Sequence, residues 1–83
     1  MPDIVIYSSR LCPYCTRAKH LLRSKGAKFT EIEVMGNAKA RQEAISRSGQ
    51  STVPQIWVGD KHVGGCDDLY ALERSGQLDK LLS

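Results

Sequence analysis

Two periods of apolar and polar positions alternate along this chain. "DIVIYSS" (residues 3–9) is β-rich and apolar on both faces through Ile4–Tyr7, which predicts a central strand of a sheet covered on both sides. From Pro13 to about Lys25 the period lengthens to that of a helix. Cys15, Ala18, Leu21 and Leu22 then share one face, Arg17, Lys19 and Arg23 point away, and Gly26 ends the helix. "KFTEIEV" returns to an imperfect alternation through Phe29, Ile32 and Val34, a second strand. Strand, helix and strand in so few residues make a βαβ unit, with a right-handed crossover and parallel strands.

The next segment, "GNAKARQEAISRSG", offers Asn37 as an N-cap, a thin apolar stripe of alanines and Ile45, and Gly49 as a stop. "VPQIWVGDKHVGG" reads as a hairpin turning at Gly59-Asp60. Pro54 cannot donate to a ladder and belongs at the start of that strand. "CDDLYALERSGQL" reads as one last helix, with Asp67 and Asp68 in the first turn where the helix dipole favours them. The expected order is β-α-β-α-β-β-α, an α/β fold whose four-stranded mixed sheet carries helices on both faces. No repeat or linker divides it, so residues 1–83 are expected to form a single domain.

Composition narrows the function classes. The 83 residues are 41% hydrophobic and 25% charged, an ordinary globular balance rather than a disordered one. The net charge of +3 comes from dispersed basic residues, as on solvated helix faces, so nucleic acid is not an expected partner. The unbroken apolar runs are too short for a membrane span or a signal-peptide core, and Asp3 stands where a secretory signal would be positive. The expectation is a cytoplasmic protein without a membrane role. Three cysteines do not make a disulfide framework, and a reducing compartment would not support one.

Two of those cysteines are three positions apart, in "SSRLCPYCTRAKHLL", where strand gives way to helix. If Pro13 takes the first helical position, Cys12 is the N-cap and Cys15 the third helical residue. An N-cap side chain accepts from a backbone N–H two or three residues on. A thiolate accepts far better than a thiol, so this place favours ionised Cys12 and gives Cys15 no such help. The helix dipole contributes at most about 2 kcal/mol; direct N–H···S⁻ bonds and a cation such as Arg10 must add to it. N-cap and third residue also lie within disulfide reach. One sulfur attacks, the other resolves, and Tyr14 walls one side of a substrate cleft. Two other uses of the pair stay open. Cys12, Cys15, His62 and Cys66 form a possible zinc set, and the pair could be buried and inert. Trp57 reads as strand packing, His20 as a helix-surface residue, His62 as a hairpin residue without a catalytic partner, and Cys66 as a neutral neighbour of the site or a second redox position.

The strand–"CPYC"–helix arrangement, followed by "TVP" at 52–54 and "GGCDD" at 64–68, resembles the glutaredoxins of the dithiol C-P-Y-C class. The likeness runs the length of the chain and is nearest to the short bacterial glutaredoxin-three type. It implies a thioredoxin-like fold, with Cys12 as nucleophile, Cys15 as resolving thiol and a redox-active disulfide between them. It implies a cis-proline at Pro54, which would leave the Val53 backbone free to pair with an extended substrate, beside Thr52. With Gly65 allowing close backbone approach, the amides of Cys66 and Asp67 would receive the γ-glutamyl end of glutathione, the Asp67 carboxylate pairing with its ammonium. Its glycine carboxylate needs a cation. The family usually places a lysine at the position of Ser9, and here Arg10 or Arg41 must substitute.

The resemblance therefore implies a glutathione-disulfide oxidoreductase that reduces protein disulfides and protein–glutathione mixed disulfides. Glutathione would be its co-substrate and no metal would be required. Its partners would be disulfide-containing or glutathionylated proteins, ribonucleotide reductase among the family's candidates, and it would work as a monomer. The competing readings are a thioredoxin-type disulfide reductase, an iron–sulfur cluster carrier and a zinc-binding structural module.

Overall fold

Side-chain alternation in β1 (Ile4–Ser8) sets the layers. Ile4 and Ile6 face one side of the sheet and Tyr7 the other, and each side has its own apolar cluster. In the computed structural model, which describes residues 2–83, α1 (Pro13–Ser24), β2 (Thr30–Glu33), α2 (Ala38–Ser48), β3 (Gln55–Val58), β4 (Lys61–Gly64), α3 (Cys66–Arg74) and α4 (Gln77–Leu82) follow β1. The strands lie in the order β2-β1-β3-β4, so β1 is indeed central. It pairs parallel with β2 (Val5 opposite Thr30) and antiparallel with β3 (Ile6 opposite Ile56). The β3–β4 hairpin turns at Gly59-Asp60, and Trp57 lies opposite His62.

On one face, Ala18, Leu21 and Leu22 of α1 and Leu69 of α3 close over Ile4, Ile6, Ile56 and Val58. On the other, Ala40 and Ala44 of α2 sit on Tyr7, Val34 and Trp57. A four-stranded mixed sheet with helices on both faces is the expected architecture.

The C-terminus departs from it. The expected single last helix is two, because Gly76 adopts φ 79° after Ser75 and breaks the chain direction. The short α4 folds back, burying Leu78 and Leu82 in the α1/α3 cluster. Lys25, just past α1, holds this corner through Glu73 of α3 (2.6 Å) and Asp79 of α4 (3.0 Å).

A dithiol cleft at the start of the first helix

Pro13 opens α1 and leaves Cys12 outside it with extended backbone angles (φ −105°, ψ 111°), as an N-cap requires. The Cys12 sulfur accepts from the Cys15 backbone N–H at 3.4 Å. It also lies 3.8 Å from the Val53 carbonyl oxygen, to which its S–H donates. Cys12 is half-buried, whereas Cys15 is fully enclosed, one of the buried face with Ala18, Leu21 and Leu22. Burial pushes the Cys15 thiol up to about 12, although the Ser9 backbone N–H donates to its sulfur at 3.4 Å and opposes the rise. Two free thiols one turn apart thus meet different environments. One is accessible beside open amides and the other is kept protonated.

Next to Cys12 runs the 50–54 loop, where the Val53–Pro54 peptide is cis. A cleft of about 220 Å³ is lined by Tyr14, Gln50, Thr52, Val53, Gly65, Cys66, Asp67 and Asp68. Of the residues singled out in the sequence, this brings together Tyr14, Thr52, Val53, Gly65, Cys66 and Asp67. Pro54 is buried behind the wall, its carbonyl facing the open α-carbon side of Gly65. Tyr14 stands exposed at the rim. Arg10 and Arg41 are exposed and do not line the cleft; the Arg10 backbone N–H instead donates to Glu33 Oε1 at 3.2 Å.

The far wall is the start of α3. Asp68 Oδ2 accepts from the Gly65 N–H at 3.0 Å and so caps the helix. The Cys66 and Asp67 amides belong to the first turn, which has no intrahelical acceptors. Gly64 adopts φ 112° against this cap, and a Cβ there would collide with the Asp68 carboxylate. Cys66 is buried in the apolar cluster, and burial raises its thiol above the ordinary range while nearby Arg17 opposes.

The four-residue zinc set is not assembled. His62 stacks on Trp57 with ring centroids 4.5 Å apart, and Trp57 belongs to the cluster on the opposite face from Cys66. Among the described residues no group of three or more His, Cys, Asp or Glu is placed to hold a metal ion. Sequence reasoning missed Gln50 and Asp68 as cleft residues, and Gln55 behind them. Gln50 follows a helix-ending glycine and gave no local signal, whereas Asp68 at the third helical position was readable as a cap.

The sequence profile of the family described as Glutaredoxin matches residues 4–63. A glutaredoxin of Pseudomonas aeruginosa is 58% identical over 100% of this chain and 99% of its own length. Glutaredoxin 3 of Escherichia coli K12 is 56% identical over 99% of each chain. Among solved structures, a crystal structure of a buckwheat glutaredoxin–glutathione complex superposes with a TM-score of 0.89 at 33% identity, covering 98% of this chain and 76% of that one. The Cys12–Cys15 spacing and the thioredoxin-like sheet fit this group, whose members are thiol oxidoreductases: the chain belongs to the glutaredoxin family.

Proposed function

We propose that residues 1–83 act as one domain, a glutathione-dependent thiol–disulfide oxidoreductase with Cys12 as nucleophile and Cys15 as resolving thiol. The observation that carries this reading is the Cys12 sulfur at the α1 N-cap, accepting the Cys15 N–H at 3.4 Å beside the Val53 carbonyl. As charge develops on sulfur, that amide and the first-turn dipole stabilise it. The Cys12 proton, which the S–H offers to the Val53 carbonyl, passes to solvent as the thiolate forms. An enclosed Cys15 thiol is a poor first nucleophile and becomes useful only when a disulfide forms next to it.

In the monothiol route, the Cys12 thiolate attacks the glutathione sulfur of a protein–glutathione disulfide. The protein thiolate leaves and takes a proton, and Cys12 becomes glutathionylated. A second glutathione thiolate then attacks the glutathione sulfur on Cys12, which releases glutathione disulfide and restores the Cys12 thiolate. In the dithiol route, Cys12 opens a protein disulfide, and Cys15 loses its proton and attacks the Cys12 sulfur. The second protein thiolate departs, and the Cys12–Cys15 disulfide is left for two glutathiones to reduce. The pair of electrons comes from glutathione in both routes.

The cleft supports glutathione as the partner. The Cys66 and Asp67 amides suit a carboxylate, the Asp67 side chain an ammonium, and the Val53 backbone an extended peptide. The relative crystallised as a glutathione complex has the same fold. Arg10 and Arg41 serve the glycine carboxylate only by swinging in from the exposed surface. The reading includes glutathionylated or disulfide-bonded proteins as substrates, a monomeric state and a cytoplasmic setting. No helix is long and apolar enough to cross a membrane among the described residues. Trapping tests the site: Cys15→Ser incubated with glutathione disulfide should gain one glutathione on Cys12, with amide shifts at Thr52, Val53 and residues 65–67. Labelling elsewhere, or no shift in those segments, contradicts it.

A further inference from the structure

Gln55 is a polar side chain the mechanism above does not use, and it is almost completely buried (1% exposed). It is the first residue of β3, directly after the cis Val53–Pro54 peptide, and its strand partner is Tyr7. It does not line the cleft, yet its amide holds the cleft wall from behind. Gln55 Nε2 donates towards the Thr52 carbonyl (2.9 Å), Thr52 Oγ1 (3.1 Å) and Gln50 Oε1 (3.0 Å). Both anchored residues line the cleft, and Val53 between Thr52 and Pro54 carries the carbonyl that accepts from the Cys12 sulfur.

The orientation of this amide is determined. A carbonyl such as that of Thr52 can only accept, so the NH₂ side must face the loop and Oε1 must face away. Oε1 then meets His62 Nε2 at 2.6 Å. Because Oε1 cannot donate, His62 Nε2 carries the hydrogen. The His62 ring is in turn held against Trp57, over which the Arg47 guanidinium also lies, 4.2 Å from the ring centre. Arg47 also donates to the Tyr7 hydroxyl at 3.1 Å, and that hydroxyl donates to Glu43 at 2.6 Å.

We infer that Gln55 is a positioning residue for substrate recognition, which fixes the Gln50–Val53 wall of the cleft, and that His62 locks its amide in the working orientation. This deepens the glutathione reading and rests on it. The wall it holds offers backbone groups to a peptide ligand, so its disorder costs binding rather than the intrinsic reactivity of the Cys12 sulfur.

The test compares wild type with Gln55→Leu, of similar size and without hydrogen bonds, and with His62→Phe, which keeps a ring for Trp57 and removes the donor. With a glutathionylated peptide and glutathione, Gln55→Leu should raise KM for the peptide about tenfold, equivalent to about 1.4 kcal/mol, with kcat changed far less. His62→Phe should act in the same direction and more weakly, and the double variant should be no worse than Gln55→Leu because both act through one amide. Iodoacetamide, which needs no cleft, should alkylate Cys12 at the wild-type rate in each. Hydrogen exchange at the residue 50–53 amides, measured without any ligand, should quicken in Gln55→Leu. A merely structural glutamine would lower the melting temperature and leave KM unmoved. Unchanged KM in a folded Gln55→Leu protein overturns the inference. If Gln55→Leu does not fold, unchanged KM and unchanged exchange in His62→Phe overturn it instead. If wild type does not act on the peptide, the glutathione reading fails, and unchanged loop exchange then removes the positioning role as well.

Discussion

Treating the native protein with iodoacetamide near neutral pH should modify Cys12 and spare Cys15. The magnitude follows from the Cys15 environment. Burial disfavours the charged thiolate, so the Cys15 thiol is pushed up to about 12. At pH 7 its thiolate fraction is then about 10⁻⁵, against about 3% for an ordinary thiol ionising near 8.5. Because the thiolate is the reactive form, ionisation alone slows Cys15 about 3,000-fold relative to an ordinary thiol. Complete enclosure adds to this, since the reagent must reach the sulfur. The assay is a time course of alkylation followed by digestion and mass spectrometry, on wild type and Cys12→Ser. Wild type should take up one adduct at Cys12, Cys12→Ser should stay almost unlabelled, and denaturant should expose every remaining thiol. If Cys15 in native Cys12→Ser reacts within about tenfold of an ordinary free thiol, the assignment of distinct environments to the two sulfurs is wrong.

Three further outcomes follow from the same structure. Burial keeps Cys15, and to a lesser extent Cys66, protonated in the fold, while the unfolded chain loses these protons from about pH 8 upward. This contribution is therefore full below about pH 8 and lost as pH rises towards 12, and urea denaturation should show the decline weakened in Cys15→Ala. Gly64→Ala combines an unfavourable φ of 112° with a collision at the Asp68 cap. It should cost about 1–3 kcal/mol, read as a drop in melting temperature, and an unchanged Tm would show that the cap can move aside. Leu69→Ala empties a fully buried position between α3 and the sheet. It should cost about 2–5 kcal/mol, seen in a shifted denaturation midpoint with the slope retained.

Much of this fold is legible in short stretches because the signals are local. Pro13 after Cys12, Asn37 before the alanines, Gly49 at the end of α2 and Gly59-Asp60 in the hairpin each act on the backbone within a few residues. The same locality made the unequal placing of Cys12 and Cys15 readable, since an N-cap and its third residue are fixed by the helix start. The break at Gly76 carried a local signal too, in "RSGQL", but the apolar pattern continues across it, and only Leu78 and Leu82 reaching the core show why the chain turns there. Gln55 and His62 were not readable as partners. Their meeting depends on hairpin register and on a loop that no periodicity describes. Arg10 and Arg41 were chosen by the charge a ligand would need, a criterion that says nothing of where an exposed side chain rests.

The central claim is that Cys12 performs the first attack and that glutathione is the partner. The most direct measurement is glutathione-coupled reduction of a glutathionylated peptide by wild type, Cys12→Ser and Cys15→Ser. The account predicts an inactive Cys12→Ser and an active Cys15→Ser, because the monothiol route does not need the resolving sulfur. Wild type that fails with this peptide yet reduces protein disulfides with a thioredoxin reductase would contradict the glutathione half. Activity retained in Cys12→Ser would contradict the nucleophile itself.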